Sequence, residues 1–71
     1  MEYKLKIVTE TKSDLFIFEK TRCAKTIDEI VDYVNEMIKI YKKSTNVVVD
    51  IYDECDKKVA NFRYDYGWLI Y

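Results

Sequence analysis

Residues 26–43 read TIDEIVDYVNEMIKIYKK, and the spacing of their apolar side chains decides the fold. Ile27, Ile30, Val31, Val34, Met37, Ile38 and Tyr41 recur at intervals that line one side of an α-helix. Thr26 followed three positions later by Glu29 has the form of a capping box, in which each side chain bonds a backbone N–H at the helix start. Asp28, Glu29 and Asp32 lie toward the positive end of the helix dipole, and Lys42 and Lys43 toward its negative end. One amphipathic helix over about 26–43 is expected. It cannot hide its own stripe, so the flanking segments must cover it.

Those segments carry strand patterns. Over 2–10, Tyr3, Leu5 and Ile7 alternate with Glu2, Lys4, Lys6 and Val8. A polar turn at 10–14 leads to a second strand at 15–20, and 21–25 link this hairpin to the helix. After the helix, Ser44-Thr45-Asn46 break the pattern, with Asn46 able to adopt a left-handed conformation in place of glycine. Residues 47–52 form a β-branched strand, 53–57 a charged turn and 58–64 the returning strand. The tail, Asp65-Tyr66-Gly67-Trp68-Leu69-Ile70-Tyr71, either packs on the domain as an extended segment or turns at 65–67 into a short fifth strand; the extended path is expected.

The order is ββαββ, a single α+β domain over 1–71 with one helix across one face of a four-stranded sheet. Placing the first and last strands centrally, in order 2-1-4-3, is the β-grasp arrangement. On Tyr3-Lys4-Leu5 at the opening and Asp53-Glu54 with Lys57-Lys58 in the second turn, the chain resembles the immunoglobulin-binding domains of protein G. The resemblance implies their fold over most of the first 64 residues. It does not extend to antibody binding, which those domains carry on a third-strand tryptophan where this chain has Val47 to Tyr52. The inward set is then Tyr3, Leu5, Ile7, Phe16, Phe18, Val47, Val49, Ile51, Ala60, Phe62 and Tyr64 with the helix stripe. Burying each contributes ~1.5–3 kcal/mol, and Phe62→Ala at a central position would cost ~3–5 kcal/mol.

Composition narrows the function classes. Forty-nine per cent apolar and 15% aromatic residues are enough for a small core without a metal. Twelve basic and 13 acidic residues leave no net field to attract a particular partner. The alternating, charged start is unlike a signal peptide, and no apolar run nears the ~20 residues of a membrane helix. A cytoplasmic protein is expected (host cytoplasm for a viral one), and few amides with many charges suit an archaeal, viral or phage source. No histidine, no glycine-rich phosphate loop and no paired ligand spacing are present, so no catalytic residue, cofactor or metal site is expected.

Interaction is the function class left, through three candidate surfaces. The helix exterior carries Asp28, Asp32 and Glu36 at i, i+4 and i+8 with Glu29 alongside, and Tyr33 and Ile40 form an apolar shoulder. The tail adds Tyr66, Trp68 and Tyr71, residue types favoured at binding hot spots. Together these suggest a regulator or inhibitor that occludes a protein partner. The bland alternative is a solvated helix face whose shoulder Trp68 and Ile70 cover. The outer sheet face gathers Lys4, Lys6, Tyr52 and Arg63 and offers the alternative of a module for single-stranded nucleic acid. Outward Val8, Leu15, Ile17 and Val48 on that face suggest cover by the tail or a homodimer through the sheet or its open edges. Cys23 and Cys55, 32 positions apart, are either free thiols or a disulfide joining the helix entry to the second turn.

Overall fold

The computed structural model describes residues 1–11, 13–40 and 46–71. It contains β1 (Glu2–Glu10), β2 (Leu15–Cys23), α1 (Ile27–Ile40), β3 (Asn46–Tyr52), β4 (Lys58–Arg63) and β5 (Gly67–Ile70). The strands form one five-stranded antiparallel sheet in the order β2-β1-β3-β4-β5. The expected C-terminal end of α1 and the break after it (Tyr41, Lys42, Lys43, Ser44 and Thr45) lie outside the described residues.

Two expectations about the sheet are corrected. The tail is not an extended appendage: it turns at 64–66 and returns as β5 beside β4, with Phe62 opposite Trp68 and Ala60 opposite Ile70. The β-grasp order 2-1-4-3 is not adopted, because β1 pairs with β3 and not with β4. The two corrections share one cause. Order 2-1-4-3 encloses β4 between two neighbours, whereas β5 needs a free edge of β4 to form its hairpin. Gly67 makes that return tight at φ +86°, a conformation that favours glycine.

β2 and β3 both run antiparallel to β1, so they are parallel to each other and α1 crosses over β1 between them. That crossing centres the apolar stripe over β1 and β3. Leu5, Ile7, Ile30, Val34, Val49, Ile51 and Ala60 are wholly buried, and Tyr3, Met37 and Val47 nearly so. Thr9 joins this face, 3% exposed, opposite Val47. Ile27, Phe18, Ile38 and Phe62 pack around the rim as partly buried neighbours.

Phe16 and Tyr64, expected inside, are 55% and 52% exposed. Phe16 has the inward parity but sits on the edge strand, opposite Thr9 and with only one neighbour strand to shelter it. Tyr64 belongs to the turn before β5, beyond the last residue of β4. Phe62 is only half-buried, so the full central cost does not apply to it. β2 also runs to Cys23 instead of stopping at Lys20, because β1 offers partners down to Glu2.

The β3–β4 turn is held by one carboxylate. Asp53 Oδ1 accepts the N–H groups of Cys55 (2.8 Å) and Lys57 (3.0 Å), and Asp53 N–H donates to Lys57 O at 3.0 Å. This arrangement lets Asp56 adopt φ 59°, a left-handed value that Asp tolerates better than most residues. Asp53→Ala is expected to lower stability by about 1–2 kcal/mol, since both bonds go to a charged acceptor. Asp53→Asn keeps the Oδ1 acceptor and loses less; thermal melts of the two variants compare them.

Candidate functional site

α1 presents Asp28, Asp32 and Glu36 along its solvent side, all exposed. Glu36 accepts from Lys39 Nζ at 3.0 Å, three residues on, so lysine partly neutralises the far end of the ridge. Half of the expected capping box is present as drawn: Glu29 N–H donates to Thr26 Oγ1 at 3.4 Å. The other half shifts by one residue, since the Glu29 carboxylate accepts from Lys25 N–H at 2.9 Å and not from Thr26. Glu29 is therefore used in starting the helix. Tyr33 is half-buried with the Arg22 guanidinium 4.0 Å from its ring centre, a cation–π contact that ties α1 to β2. Ile40 remains 80% exposed.

The tail aromatics divide between structure and surface. Trp68 donates its indole N–H to Asn35 Oδ1 at 3.0 Å and packs on Phe62 with ring centres 5.3 Å apart. It anchors β5 to the helix, on the opposite flank from Tyr33. The cover of the shoulder by Trp68 and Ile70 that the solvated-face alternative requires is not seen: Tyr33 is covered by Arg22, and Ile70 is itself 56% exposed. Tyr66 folds over the outer face of the sheet and donates its hydroxyl to Asn61 Oδ1 at 2.6 Å. Tyr71 is 68% exposed, with its backbone N–H held by Val59 O at a bulge in β4.

On the outer face, Lys4, Lys6 and Tyr52 line an open depression together with Glu19 and Asp56. Lys4 Nζ lies 3.4 Å from Asp56 Oδ1, and Lys6 stands opposite Glu19 on one neighbouring strand and Asp50 on the other. Arg63 is farther along β4, its guanidinium 5.5 Å from the Tyr66 ring centre and Nε 3.4 Å from Asp65 Oδ1. That last contact is an ion pair without hydrogen-bond alignment, which leaves the buried Nε–H without an acceptor among the described residues. Each of these cations therefore faces a carboxylate, and the face offers little unbalanced charge to phosphates.

No family model matches the chain, and no curated protein or solved structure shows a significant match.

Cys23 and Cys55 are exposed free thiols. Both lie at the same end of the sheet: Cys23 is opposite Glu2, whose N–H donates to Glu54 Oε1 at 2.7 Å in the turn holding Cys55. Among the described residues no cluster of three or more His, Cys, Asp or Glu is placed to hold a metal ion. Among the described residues no helix is long and apolar enough to cross a membrane.

Two features escaped the sequence. Asn61, only 7% exposed, organises the outer face: its Nδ2 donates to Asp50 Oδ1 (2.7 Å), while its Oδ1 accepts from Tyr66. Asp50 also pairs with Lys58 at 3.3 Å, and that bond with its charge raises the Lys58 ammonium above its usual 10.5. The outward parity of Asp50, Asn61 and Arg63 was visible, but not the tyrosine folding over them from the next turn. The second feature is the exposure of Phe16 in β2, beside Leu15 and Ile17, which alternation already placed outward and which are each 59% exposed.

Proposed function

We propose that this chain is a small non-catalytic protein-interaction module that acts by occluding a partner's surface. One observation carries the reading: apolar and aromatic side chains suited to contact stand outside while polar groups are consumed within the fold. Leu15, Phe16, Ile17, Ile40, Ile70 and Tyr71 are all at least 55% exposed, whereas Asp50, Asn61, Lys58 and Tyr66 bond one another. Large apolar groups in solvent are commonly sites of association.

The acidic ridge of α1 is the polar part of this contact surface. Asp28 and Asp32 are exposed there and form no ion pair among the described residues. Ile40 and Tyr71 supply apolar contact beyond it, while Tyr33 and Trp68 support the surface from beneath. Glu29 and Tyr66 are engaged in the fold and contribute less than the sequence suggested.

The test is quantitative affinity capture from the native host with wild type and with Asp28→Lys/Asp32→Lys. The double variant reverses the charge of the ridge without touching the core, and recovery of the specific partner is expected to fall tenfold or more. Unchanged recovery by this variant and by Tyr71→Ala would remove the surface from consideration.

A further inference from the structure

β2 is an edge strand, with β1 on one side of it and no strand on the other among the described residues. Met1 and Ala24 exchange both backbone bonds, at 3.1 and 2.9 Å, and Thr11 N–H donates to Asp14 O at 2.8 Å. These pairs bound the β1–β2 ladder at its two ends. Antiparallel pairing alternates bonded with non-bonded pairs, so the bonded pairs within the ladder are Tyr3 with Arg22, Leu5 with Lys20, Ile7 with Phe18 and Thr9 with Phe16. The N–H and C=O groups of Leu15, Ile17, Glu19, Thr21 and Cys23 consequently point away from β1. Among the described residues no strand lies on that side to receive them.

Natural sheets protect such an edge with charges, proline, a bulge or short length. The second half of β2 is protected in this way by Glu19, Lys20 and Arg22. The first half is not: Leu15, Phe16 and Ile17 are each more than half exposed on an unbroken nine-residue strand. Leu15 and Ile17 lie on the outer face and Phe16 and Phe18 on the helix side, so both faces of this half are apolar. Ile40 is at the same end of the molecule, where α1 returns toward β3. It lies on the flank of the helix that Tyr33 turns toward β2, seven residues on.

We propose that two copies join antiparallel through β2, about a twofold axis at Ile17, to make one continuous sheet of doubled width. Only registers that place odd residues opposite odd residues match both the free bonding groups and the faces. With the axis at Glu19 or Lys20, like charges stand opposite each other. With the axis at Phe16, only Leu15 and Ile17 find bonding partners within the strand; with the axis at Phe18, Phe16 is set against Lys20 as well as Ile17 against Glu19. With the axis at Ile17, Ile17 meets Ile17 and Phe16 meets Phe18 twice, Leu15 opposite Glu19 is the one mismatched pairing, and the backbone groups of Leu15, Ile17 and Glu19 that point away from β1 all find partners. Lys20 and Arg22 of each strand then extend past the paired segment. The contact is isologous and closes on itself, unlike a head-to-tail pairing of β2 with β5, which would grow without limit. The dimer takes Leu15, Phe16 and Ile17 from the exposed apolar set on which the interaction reading rests, and it leaves the acidic ridge of α1 free, so variants of the ridge and of Ile17 test the two readings separately.

Light scattering coupled to size exclusion, over a concentration series of the full chain, is expected to give twice the 8.6 kDa chain mass. Ile17→Lys puts two cations on the axis and should halve that mass with the circular dichroism spectrum retained. Ile70→Lys, at the far edge, should leave the dimer intact. In a Cys23→Ser/Cys55→Ser background, Ile17→Cys should be trapped as a disulfide dimer under mild oxidation, because bonded antiparallel pairs hold Cα atoms ~5.5 Å apart. The same change at Thr21 should not. A monomer at every concentration, a dimer that survives Ile17→Lys, loss of the dimer with Ile70→Lys, or polymers that lengthen with concentration would each overturn the proposal.

Discussion

Leu5→Ala is expected to cost about 2–5 kcal/mol, the range for removing most of a large aliphatic side chain from a closed core. Leu5 is wholly buried on β1, with Ile51 opposite it on β3 and the Ile30 and Val34 positions of α1 also wholly buried in the same core. β1 is flanked by strands on both sides and crossed by the helix, so the cavity has few ways to collapse. A chain of 71 residues has a total stability of about 4–11 kcal/mol at ordinary values per residue. The substitution therefore removes a large share of it, and a fraction of molecules would be unfolded at 37 °C. Urea denaturation followed by circular dichroism measures the loss. Tyr64→Ala supplies the contrast, because that side chain is 52% exposed in a turn while its backbone N–H, which donates to Val47 O, is kept. Its cost should stay below about 1 kcal/mol. Equal losses at the two positions would contradict the assignment of Tyr64 to the turn.

The helix and most of the core were legible in the sequence because both obey strong local periods. An apolar stripe at helical spacing has only one way to be buried, and Ile30, Val34 and Met37 are where that stripe required. Alternation likewise assigned Leu5, Ile7, Val49 and Ile51 to one face and Lys4, Lys6, Asp50 and Asn61 to the other. Phe16 shows where parity stops being informative. It chooses a face, but burial depends on how many strands and helices lie beside that face, and β2 is an edge.

Strand order is a different kind of information. Both 2-1-4-3 and 2-1-3-4 use the same strands with the same faces, so no local pattern separates them. What separates them is the tail, since a fifth strand needs an open edge on β4. Gly67 was a readable signal for that turn. Its weight was hidden because Trp68-Leu69-Ile70 carry no polar alternation to advertise a strand. The candidate contact residues divided for a related reason: Tyr33 and Trp68 look alike in sequence to Tyr71, yet Arg22 and Asn35, distant along the chain, hold the first two in place.

Trp68→Ala tests the part of the fold that the sequence left open. In the five-stranded sheet this indole closes the β5 side of the core, packed on Phe62 and bonded to Asn35 of α1. Full burial of such a ring would make its truncation cost ~3–5 kcal/mol. Trp68 is half-buried, which reduces the packing loss to about 1.5–2.5 kcal/mol, and the lost hydrogen bond adds roughly 0.5–1.5 kcal/mol. A total of about 2–4 kcal/mol is expected from urea denaturation. Asn35→Ala should recover only the hydrogen-bond part, and Phe62→Leu only the ring-packing part. If the tail instead lay loosely on the surface, Trp68→Ala and Asn35→Ala would both fall within about 0.5 kcal/mol of wild type. The size of the tryptophan effect therefore distinguishes a strand that belongs to the sheet from a segment merely resting against it.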